Sequence, residues 1–283
     1  MALKRLLFRA IEKYYHYIDK SDVRRTKNLH LIPEFINRKG GKLAYVEWAH
    51  VIGIFQTLIY QVLEEESKPV ILDIGCGTGL LGIACNSFLE QGGSYTGLDI
   101  DKASIEYCLS NYNSSNYDFV HFNKSNGAYA KDQSPELRSW PIDSINNDLV
   151  LALSVWTHLL EKDAIFYFQE LGRVLKPNGK AIITFFYLDD IYEKSLTKRN
   201  DEVGRFHNSN QMKWIFKDGI NESIDWKSPN WAIPYERAIG ITPNGLSRML
   251  ENTQMKLIAY YPGNWKEIPG VYFQDILVFE KQY

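Results

Sequence analysis

Between Asp73 and Gly79 the chain reads Asp-Ile-Gly-Cys-Gly-Thr-Gly, directly after the apolar residues Val70, Ile71 and Leu72. Gly75, Gly77 and Gly79 permit backbone conformations that a side chain forbids, and they let a ligand approach the main chain closely. The helical pattern that follows presents unpaired N–H groups at its start. The spacing argues against two phosphate-binding turns. A dinucleotide turn needs Gly-x-Gly-x-x-Gly, and position 80 is Leu80. A P-loop needs Lys followed by Ser or Thr after its last glycine, and none follows. Asp73, at the end of an apolar strand, disfavours phosphate and favours a cationic group. Asp99, at the end of "SYTGLDI", is placed to accept hydrogen bonds from ribose hydroxyls.

The ligand these residues imply has a ribose, a positive charge and no phosphate. S-adenosylmethionine, with its α-ammonium group and sulfonium, meets all three conditions. A second chemical candidate is His158 in "SVWTHL". A histidine at a strand end either removes a proton from a hydroxyl or amine, or lines the pocket and caps backbone. Aromatic residues crowd the later chain, and flat rings stack on sugars or planar substrates. Trp156 and Tyr187 lie at strand ends; Trp214, His207 and Gln274 are further candidates. Cys76 is a small residue of the turn, because methyl transfer from a sulfonium needs no covalent enzyme intermediate.

Alternating strand and helix patterns must position these groups. "PVILDIG", "SYTGLDI", "DFVHF", "DLVLALSVW" and "KAIITFFYL" read as strands. "GLLGIACNSFLEQ", "KASIEYCLSNY" and "KDAIFYFQELGRVL" read as the helices between them, and "KPNG" as a turn. That alternation predicts an α/β fold with a parallel sheet covered on both faces. Helical spacing precedes it over Leu3–Ile18 and again from about Tyr45 to Glu65, with a glycine-containing turn near Arg38–Lys42. The second of these helices, with Tyr45, Glu47, Trp48 and His50, either packs on the core or closes over the ligand. After it the expected parts are a core over 68–188, an inserted lid over 189–240, and a closing helix and strand pair over 241–283. Residues 1–67 form the helical cap.

The segments "ILDIGCGTG", "YTGLDID", "DLVLALSVWTHL" and "ELGRVLKPNGKAIITFF" resemble the successive motifs of class I S-adenosylmethionine-dependent methyltransferases, from Pro69 to Tyr187. "YFQDILVFEK" resembles the last strand of that Rossmann-like fold, which runs antiparallel. More narrowly, "SVWTHL", "LKPNG", "TFF" and "FQDI" are similar to the bacterial type 11 group, which acts on small molecules. The resemblance implies that Asp73 and Gly75 lie near the donor's amino group, with Cys76, Gly77, Thr78 and Gly79 forming the turn beside it. It implies that Asp99 holds the ribose and Ile100 lies beside the adenine. The family usually places an acid after the third strand; here "HFNKSNGAY" offers Asn123 or Asn126. Leu153 and Ser154 are expected to border the methyl-bearing sulfur. The implied activity is methyl transfer to a small-molecule acceptor of sugar or natural-product type. A hydroxyl oxygen is the first expectation and nitrogen the next. A silent binding protein of the same fold is the alternative.

Composition sets the remaining bounds. The chain has 283 residues, 45% hydrophobic, with a net charge of -2. This suits a globular protein and gives no global pull toward nucleic acid. A base-amine methyltransferase would also carry Asn/Asp-Pro-Pro-aromatic where "SVWT" stands. Locally, Lys4, Arg5, Arg9, Lys13, Lys20, Arg24, Arg25, Lys27, Arg38, Lys39 and Lys42 outnumber nearby acids, as on a solvated helical face. No apolar run approaches the ~18 residues of a membrane span, and no secretory leader pattern is present. Three unpaired cysteines, Cys76, Cys85 and Cys108, fit a reducing cytoplasm. No His, Cys or carboxylate spacing suggests a metal. Homo-oligomerisation is left open.

Overall fold

The structure, a computed structural model, describes residues 2–19, 29–39, 42–63, 68–112, 115–130 and 133–283. Lys20, Arg24, Arg25, Lys27 and the Gly40–Gly41 pair lie outside the described residues. The chain separates into two compact units, Met1–His121 and Phe122–Tyr283.

The first unit begins with helix α1 (Ala2–Asp19) and helix α2 (Tyr45–Val62). Buried Trp48, Val51, Ile52, Phe55, Leu58 and Ile59 recur three and four apart along α2, which is the spacing of one helical face. The described helix runs to Val62, with Leu63 extended, and the expected end at Glu65 lies outside the described residues. Strand β1 (Val70–Ile74) leads through the glycine turn to α3 (Leu80–Ala84) and α4 (Asn86–Glu90). Strand β2 (Ser94–Asp99), α5 (Lys102–Asn111) and strand β3 (Tyr117–His121) complete the unit. β2 lies between β1 and β3, parallel to both. Ile71 and Leu72 are fully buried although their side chains point to opposite faces, which is why "VIL" reads as an unbroken apolar run.

The helix expected over "GLLGIACNSFLEQ" is two short helices. Cys85, with ψ near -7°, interrupts the ladder between them. Gly82 lets the first helix sit against the sheet: a methyl group there would lie 3.1 Å from the Tyr95 ring.

The second unit contains strand β4 (Asn147–Ala152), α6 (Glu161–Val174) and strand β5 (Leu175–Tyr187), which is parallel to β4. The expected turn "KPNG" lies inside β5 as an excursion. Asn147 pairs with Leu175 and Leu149 with Lys180, so Lys176–Gly179 loop out, with Asn178 left-handed at φ 62°. Helix α7 (Asp190–Leu196) and short strands β6 (Asp218–Gly219), β7 (Trp226–Ser228) and β8 (Gly240–Ile241) follow. Helix α8 (Pro243–Leu250), strand β9 (Met255–Tyr261) and strand β10 (Asp275–Lys281) close the chain. β10 is antiparallel to β5 and to β9, so the Rossmann-like α/β fold with an antiparallel last strand is present.

The stretch from Asp189 to Gly240, weakly periodic in sequence, shares an aromatic core with residues that flank it at the end of β5 and in the loop after β9. Tyr192, Phe216, Ala232 and Ala238 pack with Phe186, Leu188 and Trp265. Buried Arg199 donates to the carbonyls of Gln211, Trp214 and Trp265, replacing ladder hydrogen bonds that irregular backbone lacks. No described helix is long and apolar enough to cross a membrane.

Candidate functional site

In the first unit, β1 delivers Asp73 and then a turn with three left-handed glycines: Gly75 at φ 70°, Gly77 at 53° and Gly79 at 89°. The turn is tied to the end of β2. Gly75 and Cys76 donate their N–H groups to Leu98 O at 2.7 and 3.2 Å. Gly77 N–H donates to Asp99 Oδ2 at 2.7 Å, and Asp101 N–H to Oδ1 at 2.7 Å. Thr78 Oγ1 donates to Asn37 O at 3.0 Å. The Tyr112 hydroxyl lies within hydrogen-bond distance of Thr78 O and Gly79 O. The thiols of Cys76 and Cys108 both point at Gly77 O, and burial raises the Cys76 thiol. Such a thiol is a packing residue and a poor nucleophile.

The glycines do different work. A methyl group on Gly79 would lie 2.2 Å from the Tyr112 hydroxyl, so its bareness serves packing as well as φ. A methyl group on Gly77 would meet no described atom within 4 Å, so its bareness leaves open space beside the turn.

Asp73 is buried. Its Oδ2 accepts from the Tyr95 hydroxyl at 2.6 Å, and its Oδ1 has no partner among the described residues. Burial pushes its pKa up to about 8, the Tyr95 hydrogen bond lowers it, and the Asp99 charge raises it. A buried carboxylate oxygen without a donor is costly, and a cationic amine is the group that relieves it. The Asp99 carboxyl is also raised by burial, against the lowering from the N–H groups of Asp101 and Gly77. The orphaned oxygen and the open space at Gly77 fit a ligand with an ammonium group. Ile100 follows Asp99, and its carbonyl lies 3.2 Å from His121 Nε2.

In the second unit, the end of β4 carries Leu153 and Ser154, both half-buried, with Ser154 left-handed at φ 63°. A ring of three hydrogen bonds, two of them made by Ser154 itself, holds that strained residue. Ser154 N–H donates to Thr184 Oγ1 at 2.7 Å, Thr184 O–H to Gln274 Oε1 at 2.7 Å, and Gln274 N–H to Ser154 Oγ at 2.9 Å. His158, in the single helical turn Trp156–His158, lies beside this ring. Its Nδ1 is 2.6 Å from Glu236 O. A carbonyl only accepts, so Nδ1 carries the proton and Nε2 presents its lone pair in the neutral ring. Nε2 lies 3.3 Å from the Tyr129 hydroxyl and 3.5 Å from Ser154 Oγ. This arrangement can receive a proton.

The other sequence candidates are placed as follows. Trp156 is buried among Phe168 and Phe185, with its indole N–H donated to Ala164 O. It is a core residue, and the expectation that it lines an acceptor pocket is corrected. Asn126 spends its amide on His158 O and Ala128 N–H, shaping a turn. Asn123 is exposed, with Oδ1 3.3 Å from Ser134 N. Tyr187 is half-buried, edge-on to Tyr260. His207 bridges Ser209 and Glu267, and Trp214 donates to Ser209 while stacking on Phe186. In α2, Trp48 is buried and donates to Lys42 O. Sequence reasoning missed Tyr95, Tyr112, Tyr129 and Glu236. For Tyr95 a signal existed: an inward-facing polar tip on the buried strand beside Asp73's.

Residues 65–230 match the family described as a methyltransferase domain. A malonyl-[acyl-carrier protein] O-methyltransferase from Halalkalibacterium halodurans is 24% identical over 273 residues, covering 94% of this chain and 93% of that protein. The PH0226 protein from Pyrococcus horikoshii superposes with a TM-score of 0.52 at 16% identity, covering 95% of this chain and 99% of the other. An S-adenosylmethionine-dependent methyltransferase from Mesorhizobium loti gives a TM-score of 0.51 at 12% identity, covering 79% of this chain and 96% of the other. These superpositions establish a shared fold.

Proposed function

We propose, because the chain belongs to the methyltransferase domain family, that it methylates a hydroxyl oxygen of a small molecule, with His158 as general base. The enzyme is of the class I S-adenosylmethionine-dependent type, and S-adenosylmethionine is its methyl donor. The assignment of residues to roles is our reading. Asp73 Oδ1 takes the donor's ammonium group, and Asp99 takes the ribose hydroxyls. Gly75, Cys76, Gly77, Thr78 and Gly79 form the wall beside the donor, and Ile100 borders the adenine. Leu153 and Ser154 border the sulfur, and Tyr187 is the aromatic candidate for the acceptor.

The donor supplies an electrophilic methyl group on a sulfonium, open to in-line displacement by an acceptor lone pair. The protein's part is placement and the removal of one proton. The observation that carries the hydroxyl reading is the state of His158. Its Nδ1 proton is committed to Glu236 O, so the lone pair of the neutral ring lies on Nε2, beside the Tyr129 and Ser154 hydroxyls. A carboxylate is already ionised at neutral pH and gains nothing from a base. An alcohol must lose its proton as the new C–O bond forms. A base held in one tautomer therefore favours an alcohol.

The Halalkalibacterium relative supports a second reading, in which the acceptor is a carboxylate oxygen of an acyl group on a carrier protein. One experiment separates the two. The purified enzyme is incubated with methyl-labelled donor and a panel of hydroxylated sugars and phenols beside malonyl-loaded acyl carrier protein. The expected product is a labelled ether, made at least ~100-fold more slowly by His158→Gln. Label found only as a malonyl ester, with His158→Gln turning over normally, would replace the first reading with the second.

A further inference from the structure

His158 is gripped at both ends by one residue that lies 78 positions further along the chain. At Nδ1 the grip is direct, through the carbonyl of Glu236 at 2.6 Å. At Nε2 it runs through a turn. Glu236 Oε1 accepts from Gly127 N–H at 3.2 Å. Gly127 begins the reversal closed by Ala130 N–H on Asn126 O at 2.9 Å, and Tyr129 is carried on it. The Tyr129 hydroxyl reaches Nε2 at 3.3 Å, and its ring meets the imidazole edge-on at 5.0 Å. Asn126 Nδ2 ties the same turn to His158 O at 2.9 Å.

We propose that Glu236 is the positioning residue of His158: its carbonyl fixes which ring nitrogen carries the proton, and its carboxylate holds the turn that sets Tyr129 on the other. The proposal rests on the reading of His158 as the base. The two neutral tautomers of an imidazole are close in energy, so a single hydrogen bond decides between them. Only the tautomer with the proton on Nδ1 leaves Nε2 able to accept one. The Glu236 carbonyl cannot be removed by substitution, but the side chain anchored to Gly127 is one of the ties that place it, beside Ile239 N–H on Thr157 O. Gly127 is bare for the same reason: a methyl group there would lie 2.5 Å from Glu236 Oε1. Loss of the carboxylate removes the direct link between the Pro234–Arg237 turn and the Gly127–Tyr129 turn. Ile239 N–H on Thr157 O and Asn126 Nδ2 on His158 O still tether the two turns to the histidine, so both contacts on the imidazole loosen without being lost.

The test is nitrogen-15 NMR of the histidine side chains in the full chain, followed across pH so that the neutral ring of His158 is identified by its absence in His158→Gln. The wild type is expected to show one neutral tautomer, protonated at Nδ1. Glu236→Ala is expected to show a mixture with the Nδ1-deprotonated form. Glu236→Gln is expected to restore the wild-type pattern, because its amide oxygen accepts from Gly127 N–H equally. Gly127→Ala displaces the carboxylate and is expected to behave as Glu236→Ala does, and it carries the test if Glu236→Ala fails to fold. S-adenosylmethionine affinity by calorimetry is expected to stay within about twofold throughout. With the acceptor found by the panel, kcat is expected to fall about 10- to 100-fold in Glu236→Ala and to recover in Glu236→Gln. A wild-type tautomer pattern in Glu236→Ala and Gly127→Ala would overturn the proposal. A mixed pattern with unchanged kcat would uphold the positioning and remove the base reading instead.

Discussion

Asp73 holds one carboxylate oxygen on Tyr95 and offers the other to nothing among the described residues, and burial lifts its pKa to about 8. In the free enzyme at pH 7 it therefore carries a proton. Pairing with a cationic amine requires the ionised form, so donor binding at pH 7 is expected to release that proton. Calorimetry in buffers of different ionisation enthalpy checks this: the apparent enthalpy should follow the buffer for the wild type and not for Asp73→Asn. Buffer-independent heat in the wild type would contradict it. The same shift has a stability consequence. A carboxyl raised above its unfolded value near 4 contributes stability that is present below that value and lost as pH rises through about 8. Asp73→Asn should thus gain in melting temperature over the wild type as pH goes from 5 to 8, and level off above.

At the same scale, Gly79→Ala combines a left-handed backbone with a methyl group 2.2 Å from the Tyr112 hydroxyl. It is expected to cost about 2 kcal/mol or more in chemical unfolding, whereas the open position of Gly77 removes the clash and leaves only the backbone term. Both glycines were legible as a turn, since spacing alone marks them. Their different burdens were not, because Tyr112 arrives from 33 residues away. Tyr129 and Glu236 were hidden for the same reason: no local pattern announces the contact of Tyr129 with His158 across 29 residues or that of Glu236 with Gly127 across 109.

Elements followed their periodicity where both faces are buried or one face is, and departed from it where a side-chain network does the holding. β1 and β5 were readable as apolar runs and α6 as an amphipathic helix. The single helix expected after the glycine turn breaks at Cys85, where nothing in the residue type signals a change of ladder. The loop between β9 and β10 shows what replaces a pattern. Buried Lys266 contacts Asp189 Oδ1 at 2.8 Å, Asp275 Oδ1 at 2.9 Å and the Tyr260 hydroxyl at 2.6 Å. Asp275 also accepts from Trp265 Nε1, Gly263 N–H and Tyr187 N–H. One cation thus fastens the loop to β10, to β9 and to the residue that caps α7. Removing it leaves two carboxylates in a dry site, and breaking a buried pair costs about 3–5 kcal/mol. Lys266→Met is expected to lose that much in urea unfolding at pH 8. Burial already raises the Asp275 carboxyl, with Lys266 pulling it back. In the variant it rises further and stays protonated at lower pH, so the loss should be smaller at pH 5. A loss equal at both pH values would show that packing, not charge, fastens the loop.

For the whole molecule, turnover requires the acceptor to enter and water to leave, and some segment must open for that. We assign this to part of Asp189–Gly240. The segment is divided. Tyr192, Phe216, Ala232 and Ala238 are buried in the aromatic core, and Arg199 pins three carbonyls. Between these anchors, Val203, Met212, Ile224, Ile233 and Tyr235 are exposed, and the only strands are two or three residues long. Local opening draws on such stretches because few buried contacts must break. Hydrogen exchange is therefore expected to be fast around Val203–Gln211 and Ile220–Ile224. It should be slow at Tyr192 and at Val70–Ile74, whose backbone lies in a buried ladder. Binding of donor and acceptor together should slow the fast stretches and leave Tyr192 unchanged. The Glu236 turn joins the two questions, since its carbonyl and carboxylate both engage the His158 cluster. If opening carries that turn along, protection at Tyr235–Ala238 should rise with acceptor in step with protection at Val203–Gln211. Full protection of Asp189–Gly240 in the free enzyme, equal to that of Val70–Ile74, would leave the acceptor another way in.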